Sequence, residues 1–179
     1  MPPLALKLGS WYTSRVCLRL FRDLDIKTCL ELGGGFGLTA KIVAQKLHLD
    51  LTLVDNNPKG YELFKRYSNY GNFILGDFFR LRPRRKSDLV YSIGVIEHYS
   101  DYKKRIEVLK IHRQLSQKYV GVLVPKNSWL IRNFAHLPSK YGYEKLYSRK
   151  ELEEEVKAAN LKPIRYGENL QLVGVLCRI

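Results

Sequence analysis

Short apolar runs alternate with stretches of helical period along this chain, and that alternation limits the fold more than any other feature. Residues 27–32, 49–55, 72–77, 87–95 and 118–125 read as strands. Some are almost continuously apolar, as in SDLVYSIGV and KYVGVLVP, the pattern of strands covered on both faces. A first helix is predicted to start at Ser10, a candidate N-cap, with Trp11, Val16, Leu20 and Leu24 at roughly helical spacing. Residues 38–47 place Ile42, Val43 and Leu47 together, residues 58–70 open on Pro58 in a first helical turn, and residues 101–116 repeat Ile106, Leu109 and Leu115. Ser148 with Glu151 three residues on forms a capping box for a helix over 148–160, and residues 162–179 read as two closing strands. Such alternation implies an α/β fold with a parallel sheet between helices. Sheets of that kind take ligands outside the carboxyl ends of their strands.

The bulk composition narrows the class. A chain of 179 residues is most simply one domain with one real core, and its 45% apolar and 27% charged residues are ordinary for a soluble globular protein. The N-terminal apolar run is broken by Lys7 and has no small-residue cleavage site, so it reads as mature protein and not as a signal peptide. No run reaches the roughly 18–20 apolar residues of a membrane span. Cys17, Cys29 and Cys177 show no CxxC spacing, which argues against a disulfide framework or zinc and for buried thiols in a reducing, cytoplasmic setting. His48, His112 and His136 make no metal-binding spacing with one another, so no metal is expected. The net charge of +14, from 31 Lys and Arg against 17 Asp and Glu, admits a nucleic-acid or acidic-lipid partner and equally a solvated basic surface. The densest basic run, Arg80 to Lys86, contains Pro83 and reads as a loop.

At the end of the first strand stands CLELGGGFGLTA, with four glycines in five residues. A dinucleotide site would use Gly33 and Gly35, but its third glycine falls on Leu38; a P-loop would need Gly-Lys-Ser or Gly-Lys-Thr, which is absent. What is present is Glu31-x-Gly33-x-Gly35-x-Gly37. This pattern resembles motif I of the class I S-adenosylmethionine-dependent methyltransferases. The neighbouring strand ends agree: Asp55 closes LVDNN, 18 residues after Gly37, Asp77 and Phe78 stand in LGDFF, and the fourth strand runs into SIGVIEHYSD. The resemblance covers about residues 27–179. It implies a Rossmann-like three-layer sandwich, with a seven-stranded, mostly parallel sheet and an antiparallel C-terminal hairpin strand.

The resemblance also implies S-adenosyl-L-methionine as cofactor. Glu31, Gly33, Gly34, Gly35, Phe36 and Gly37 would form the turn it lies against, with Glu31 organising the turn and the ligand's ammonium. Asp55, with Asn56 beside it, would accept the ribose hydroxyls. Asp77 would take the adenine amino group, and Phe78 would pack on the ring. Ser92, Ile93 and Gly94 would line the methionyl moiety. Methyl transfer by in-line displacement requires alignment above all, and a base adds to it when the acceptor is a phenol, alcohol or amine. His98 is the candidate catalytic base, with Tyr99 second. Glu97 reads as a first-turn acid favoured by a helix dipole.

Two segments outside the shared core are available to choose an acceptor: an N-terminal helical cap, residues 1–26, and a substrate-lid segment, residues 126–147, rich in aromatics with Lys and Arg between them. The second resembles the lid of quinone-biosynthesis methyltransferases, where GVIEH and a helix start of the form YS-x-x-E-L recur. An aromatic lid suits a small organic or lipid-like acceptor shielded from water. RNA is the rival acceptor, supported by net charge, although the fourth strand lacks an Asn-Pro-Pro-Tyr or Asp-Pro-Pro-Tyr sequence. A non-catalytic binding or scaffold protein of the same fold is the reading from another class. Arg15, Arg19 and Arg22 fall near one face of the first helix, which also permits peripheral contact with acidic lipid.

Overall fold

The computed structural model describes residues 3–82, 84–129 and 143–179, the side chain of Ala5 excepted. Its centre is a seven-stranded sheet of β1 (Thr28–Leu32), β2 (Asp50–Asp55), β3 (Asn72–Leu75), β4 (Ser87–Ile93), β5 (Ser116–Pro125), β6 (Lys162–Glu168) and β7 (Leu172–Arg178). The strand order is β3-β2-β1-β4-β5-β7-β6. All neighbouring pairs are parallel except those of β7, which runs antiparallel to both β5 and β6. Strand order reverses between β1 and β4, so the switch point, where ligands bind in such sheets, lies beside the glycine turn that follows β1.

Helices cover both faces. On one side lie α1 (Leu4–Phe21) and α2 (Leu38–Leu47); on the other lie α4 (Tyr102–Leu115) and α5 (Arg149–Ala158). Helix α3 (Pro58–Leu63) runs into a single π turn, Phe64–Ser68. Period-two alternation in β5 shows why both layers are needed: Val120, Val122 and Val124 pack with α4 and α5, while Leu123 packs with α1 and α2. A Cβ on Gly121 would lie 2.7 Å from the Phe21 ring, so α1 lies directly on bare backbone there. Each fully buried side chain such as Leu20, Leu53 or Leu109 contributes about 1.5–3 kcal/mol by leaving water. The three cysteines are buried free thiols. No described helix is long and apolar enough to cross a membrane.

Three local expectations are corrected. Ser10 is not a cap: Pro3 precedes the helix, which starts at Leu4 with no side-chain cap, and Ser10 sits midway along it. The fourth strand stops at Ile93, because Gly94 turns to φ 72°. Ser116 opens β5 and does not extend α4, which Asp101 caps by accepting from the Lys103 N–H. As the loop reading of Arg80 to Lys86 implies, no helix joins β3 to β4 among the described residues, and a single 3-10 turn, Phe78–Arg80, stands there. The capping box holds, with Ser148 Oγ accepting from the Glu151 N–H and the Glu151 carboxylate accepting from the Ser148 N–H.

Candidate active site

The glycine turn forms where the chain must leave β1 and enter α2 within five residues. Gly33, Gly35 and Gly37 all take positive φ, and Gly37 is the left-handed residue from which α2 starts. Gly33 is required twice over: at φ 68° an L side chain is strained, and its Cβ would lie 2.6 Å from Val95 Cγ2. The turn after β1 and the turn after β4 therefore touch across the switch point. Gly94 is also at positive φ, with its N–H donating to the Leu123 carbonyl at 3.0 Å.

Asp55 holds this turn. One carboxylate oxygen accepts from the Gly35 N–H and the other from the Asn57 N–H, both at 2.8 Å. Each oxygen keeps a free lone-pair direction for a ligand. Asn57 in turn accepts from the Lys59 N–H and caps α3. At the end of β3, the Asp77 carboxylate accepts from the Phe79 N–H at 2.9 Å, and the Phe78 and Phe79 rings stack with centroids 4.8 Å apart.

A cleft of about 370 Å³ opens over these strand ends, within the usual size range of ligand pockets. It brings together Gly33, Gly35, Asp55, Asn56, Asp77, Phe78, Gly94, His98 and Tyr99, all anticipated from sequence. A second, smaller pocket of about 170 Å³ flanks the same turn and is lined by Glu31, Gly34, Phe36, Gly37 and Ile93, with Ser10 of α1 beside them. Ser92 lines neither: it is buried within β4, and its hydroxyl has no hydrogen-bond partner among the described residues. Asn57, Gly76 and Val95 line the cleft without having been singled out from sequence. Asn57 was legible in principle, as the Asx cap before Pro58. Of the lid segment 126–147, residues 130–142 lie outside the described residues, as does His136.

Two buried acids underlie the cleft. Burial pushes the Glu31 carboxyl up to about 8, Asp55 adds to the shift, and the Tyr91 hydroxyl, donating at 3.4 Å, opposes it. Glu97 is the larger surprise. It stands in the first turn, as the sequence suggests, yet it is 1% exposed, because the 3-10 turn Ile96–His98 carries it inward beneath Gly94. Burial raises it to about 8 as well, and its Oε2 has no partner among the described residues. Burial, with the charges of Asp77 and Glu107, raises the Tyr99 phenol above its ordinary range. The His98–Tyr99 turn is fixed from behind: Arg105 donates to the Tyr99 and Ser100 carbonyls at 2.9 Å and pairs with buried Glu155 at 3.0 Å. His112 is structural: its Nδ1 lies 2.8 Å from the Val108 carbonyl, and burial pushes it down to about 4. No metal-binding cluster occurs among the described residues.

The donor set fits an adenosyl ligand that carries a cation and no phosphate. Two carboxylates line the cleft, and among the described residues no Lys or Arg does, in a chain of net charge +14. Phosphate would meet repulsion here; a sulfonium or ammonium would be attracted.

Residues 30–118 match the family described as methyltransferase domain. The fold is shared with solved structures. Synechocystis magnesium protoporphyrin IX methyltransferase with bound S-adenosylmethionine superposes with a TM-score of 0.67 at 12% identity, covering 96% of this chain and 78% of that one. An S-adenosylmethionine-dependent methyltransferase from Clostridium acetobutylicum gives 0.71 at 10% identity, over 96% and 91%. Human N-acetylserotonin methyltransferase in complex with S-adenosylmethionine gives 0.75 at 18% identity, and this chain spans 97% of itself but 53% of that enzyme. No curated protein sequence matches the chain. The chain thus carries a methyltransferase domain over residues 30–118, on the fold of the class I methyltransferases, whose cofactor is S-adenosylmethionine.

Proposed function

We propose that the chain is an S-adenosylmethionine-dependent methyltransferase acting on an oxygen, nitrogen or carbon nucleophile of a small organic or lipid-like acceptor. One observation carries this reading: Gly33, Gly35 and Gly94 present bare backbone to the same cleft as Asp55 and Asp77, with no cation among them. S-adenosylmethionine supplies an activated methyl on sulfonium. Asp55 and Asn56 hold the ribose hydroxyls, Asp77 the adenine amino group, and Phe78 the ring face. Glu31 and the turn it supports face the amino-acid end. His98 stands at the end of β4, where the acceptor arrives, and takes its proton; Tyr99 donates beside it. Arg105 keeps both in place. The acceptors for which the structural neighbours are named, a protoporphyrin and N-acetylserotonin, support a small organic molecule over RNA. The buried free thiols support a cytoplasmic setting.

Calorimetric titration with S-adenosylhomocysteine, with NAD as the control, tests the reading. Micromolar binding to the wild type, no response to NAD, and loss of about tenfold to a hundredfold in Asp55→Ala are expected, the cost of removing charge-assisted hydrogen bonds. Absence of binding to the wild type would turn the chain into a non-catalytic protein of this fold.

A further inference from the structure

The first three turns of α1 do not serve the core. Of the described side chains from Pro3 to Thr13, none is buried; burial starts at Ser14 and continues through Val16, Cys17, Leu20 and Phe21. On the opposite face, positions 4, 8, 11, 15, 19 and 22 follow one another at spacings of three and four, which keeps them in a single stripe. That stripe reads Leu4, Leu8, Trp11, Arg15, Arg19, Arg22. Leu4, Leu8 and Trp11 are 72%, 58% and 53% exposed. No Asp or Glu occurs before Asp23.

The stripe is continued by other parts of the chain. The Tyr12 hydroxyl accepts from the Leu170 N–H in the β6–β7 turn, and Ser128 Oγ donates to the Leu170 carbonyl, both at 3.2 Å. Leu170 is 63% exposed and Trp129 is 64% exposed. Between α1 and this turn lies a groove of about 390 Å³ lined by Arg15, Arg19, Lys126, Glu168 and Asn169. Lys126 pairs with Glu168 at 3.0 Å, leaving the groove net positive. Asn169 spends its side-chain oxygen on the Gln171 and Leu172 N–H groups, while its buried Nδ2 has no partner among the described residues.

We propose that this surface docks on an anionic lipid bilayer, with Leu4, Leu8, Trp11 and Leu170 entering the acyl boundary and the groove taking a headgroup phosphate. The pattern matches an interfacial helix: an exposed apolar stretch continuous with basic residues, and tryptophans at the level where headgroups meet chains. Arg15 lies over the Trp11 ring, 4.9 Å from its centroid, so cation and wedge form one unit. Exposed leucines separate this surface from one for RNA, where aromatic stacking on bases is the binding device. Ser10 of the same helix lines the pocket at the glycine turn, so docking directs the cleft end of the sheet toward the bilayer. The proposal does not depend on methyl transfer and is read without it.

The test uses the full chain and vesicles of phosphatidylglycerol and phosphatidylcholine in equal parts, with pure phosphatidylcholine for comparison. Trp11 and Trp129 are the two tryptophans of the chain and both are exposed, so tryptophan-selective excitation follows them apart from the twelve tyrosines. Co-sedimentation with the anionic vesicles and a blue shift of the emission are expected, with little of either on the neutral ones. The pair Arg15→Gln and Arg19→Gln lowers partitioning roughly 25-fold, and Leu8→Ser lowers it about tenfold. All three side chains are exposed, and unchanged far-ultraviolet circular dichroism confirms that the fold survives. Failure to co-sediment, equal binding to neutral vesicles, insensitivity to both variants, or a fluorescence response to an RNA oligonucleotide in place of vesicles would overturn the proposal. Loss of S-adenosylhomocysteine binding with vesicle binding intact would sink the catalytic reading alone.

Discussion

At the carboxyl end of the sheet, two surfaces of one small protein carry opposite chemistry. The cleft is lined by Asp55 and Asp77 and, among the described residues, by no Lys or Arg, although basic residues outnumber acidic ones 31 to 17. The groove beside α1 is lined by Arg15, Arg19 and Lys126, and the helix above it has no acid at all. Their means of support differ as well. Every cleft carboxylate is tied to backbone N–H groups, so its position is set by the fold. The cations of α1 stand on an exposed helix face and need a partner to be ordered. The contrast teaches that net charge describes neither surface: a basic protein has kept its ligand cleft acidic, and its excess charge is placed elsewhere.

Substitutions can break that separation. The largest effect belongs to His98→Ala, expected to lower kcat by about 10²- to 10⁴-fold while S-adenosylhomocysteine affinity by calorimetry stays nearly constant. Equal loss of both would make His98 a cofactor contact, not a base. Next comes pH. Glu31 and Glu97 both sit at about 8 in the folded protein, above an ordinary carboxyl, so the folded state holds protons that the unfolded chain releases. Their contribution to stability is full below about pH 4.5 and is lost as pH rises through about 8. Glu31→Gln should therefore raise Tm above about pH 8 and change it little in acid, as thermal unfolding across that range will show. Smallest is the control on the other surface. Arg15→Gln with Arg19→Gln should alter S-adenosylhomocysteine affinity less than about twofold, since exposed charges beyond a Debye length of about 8 Å are screened. A larger change would mean the two surfaces are electrostatically coupled.

Much of this was legible where sequence pattern and backbone coincide. Asp55 and Asp77 were visible as acids closing apolar runs, and parallel strands put such ends side by side. The glycines were visible because positive φ selects them. What escaped depends on through-space packing. Glu97 was legible as a first-turn acid but not as a buried one, because a single 3-10 turn carries it under Gly94. Ser92 was placed at the ligand because it is near the strand end; the alternation of β4 turns it into the sheet's covering layer. Val95 enters the cleft because Gly33 packs against it, a contact between residues 62 positions apart. Ser10 looked like a cap because helix starts are read from polar residues, whereas Pro3 already sets the entry and the exposed leucines before Ser10 are helical too.

The single turn between β3 and β4 has a dynamic consequence. Elsewhere a crossover helix shields each parallel strand; after β3, the chain returns in eleven residues, and among the described ones only Phe78–Arg80 is wound up. Ile74 and Leu75 are left exposed at the sheet edge, and Phe78 and Leu81 cover only the neighbouring strands, packing against Leu30, Leu32, Val54 and Val90. Local opening is cheapest where buried contacts are fewest, so amide hydrogens around Asp77 exchange sooner than those of β4 or β5. The adenine end of the cleft is thus its softest wall, and a ligand that fills it slows that exchange in proportion to its occupancy.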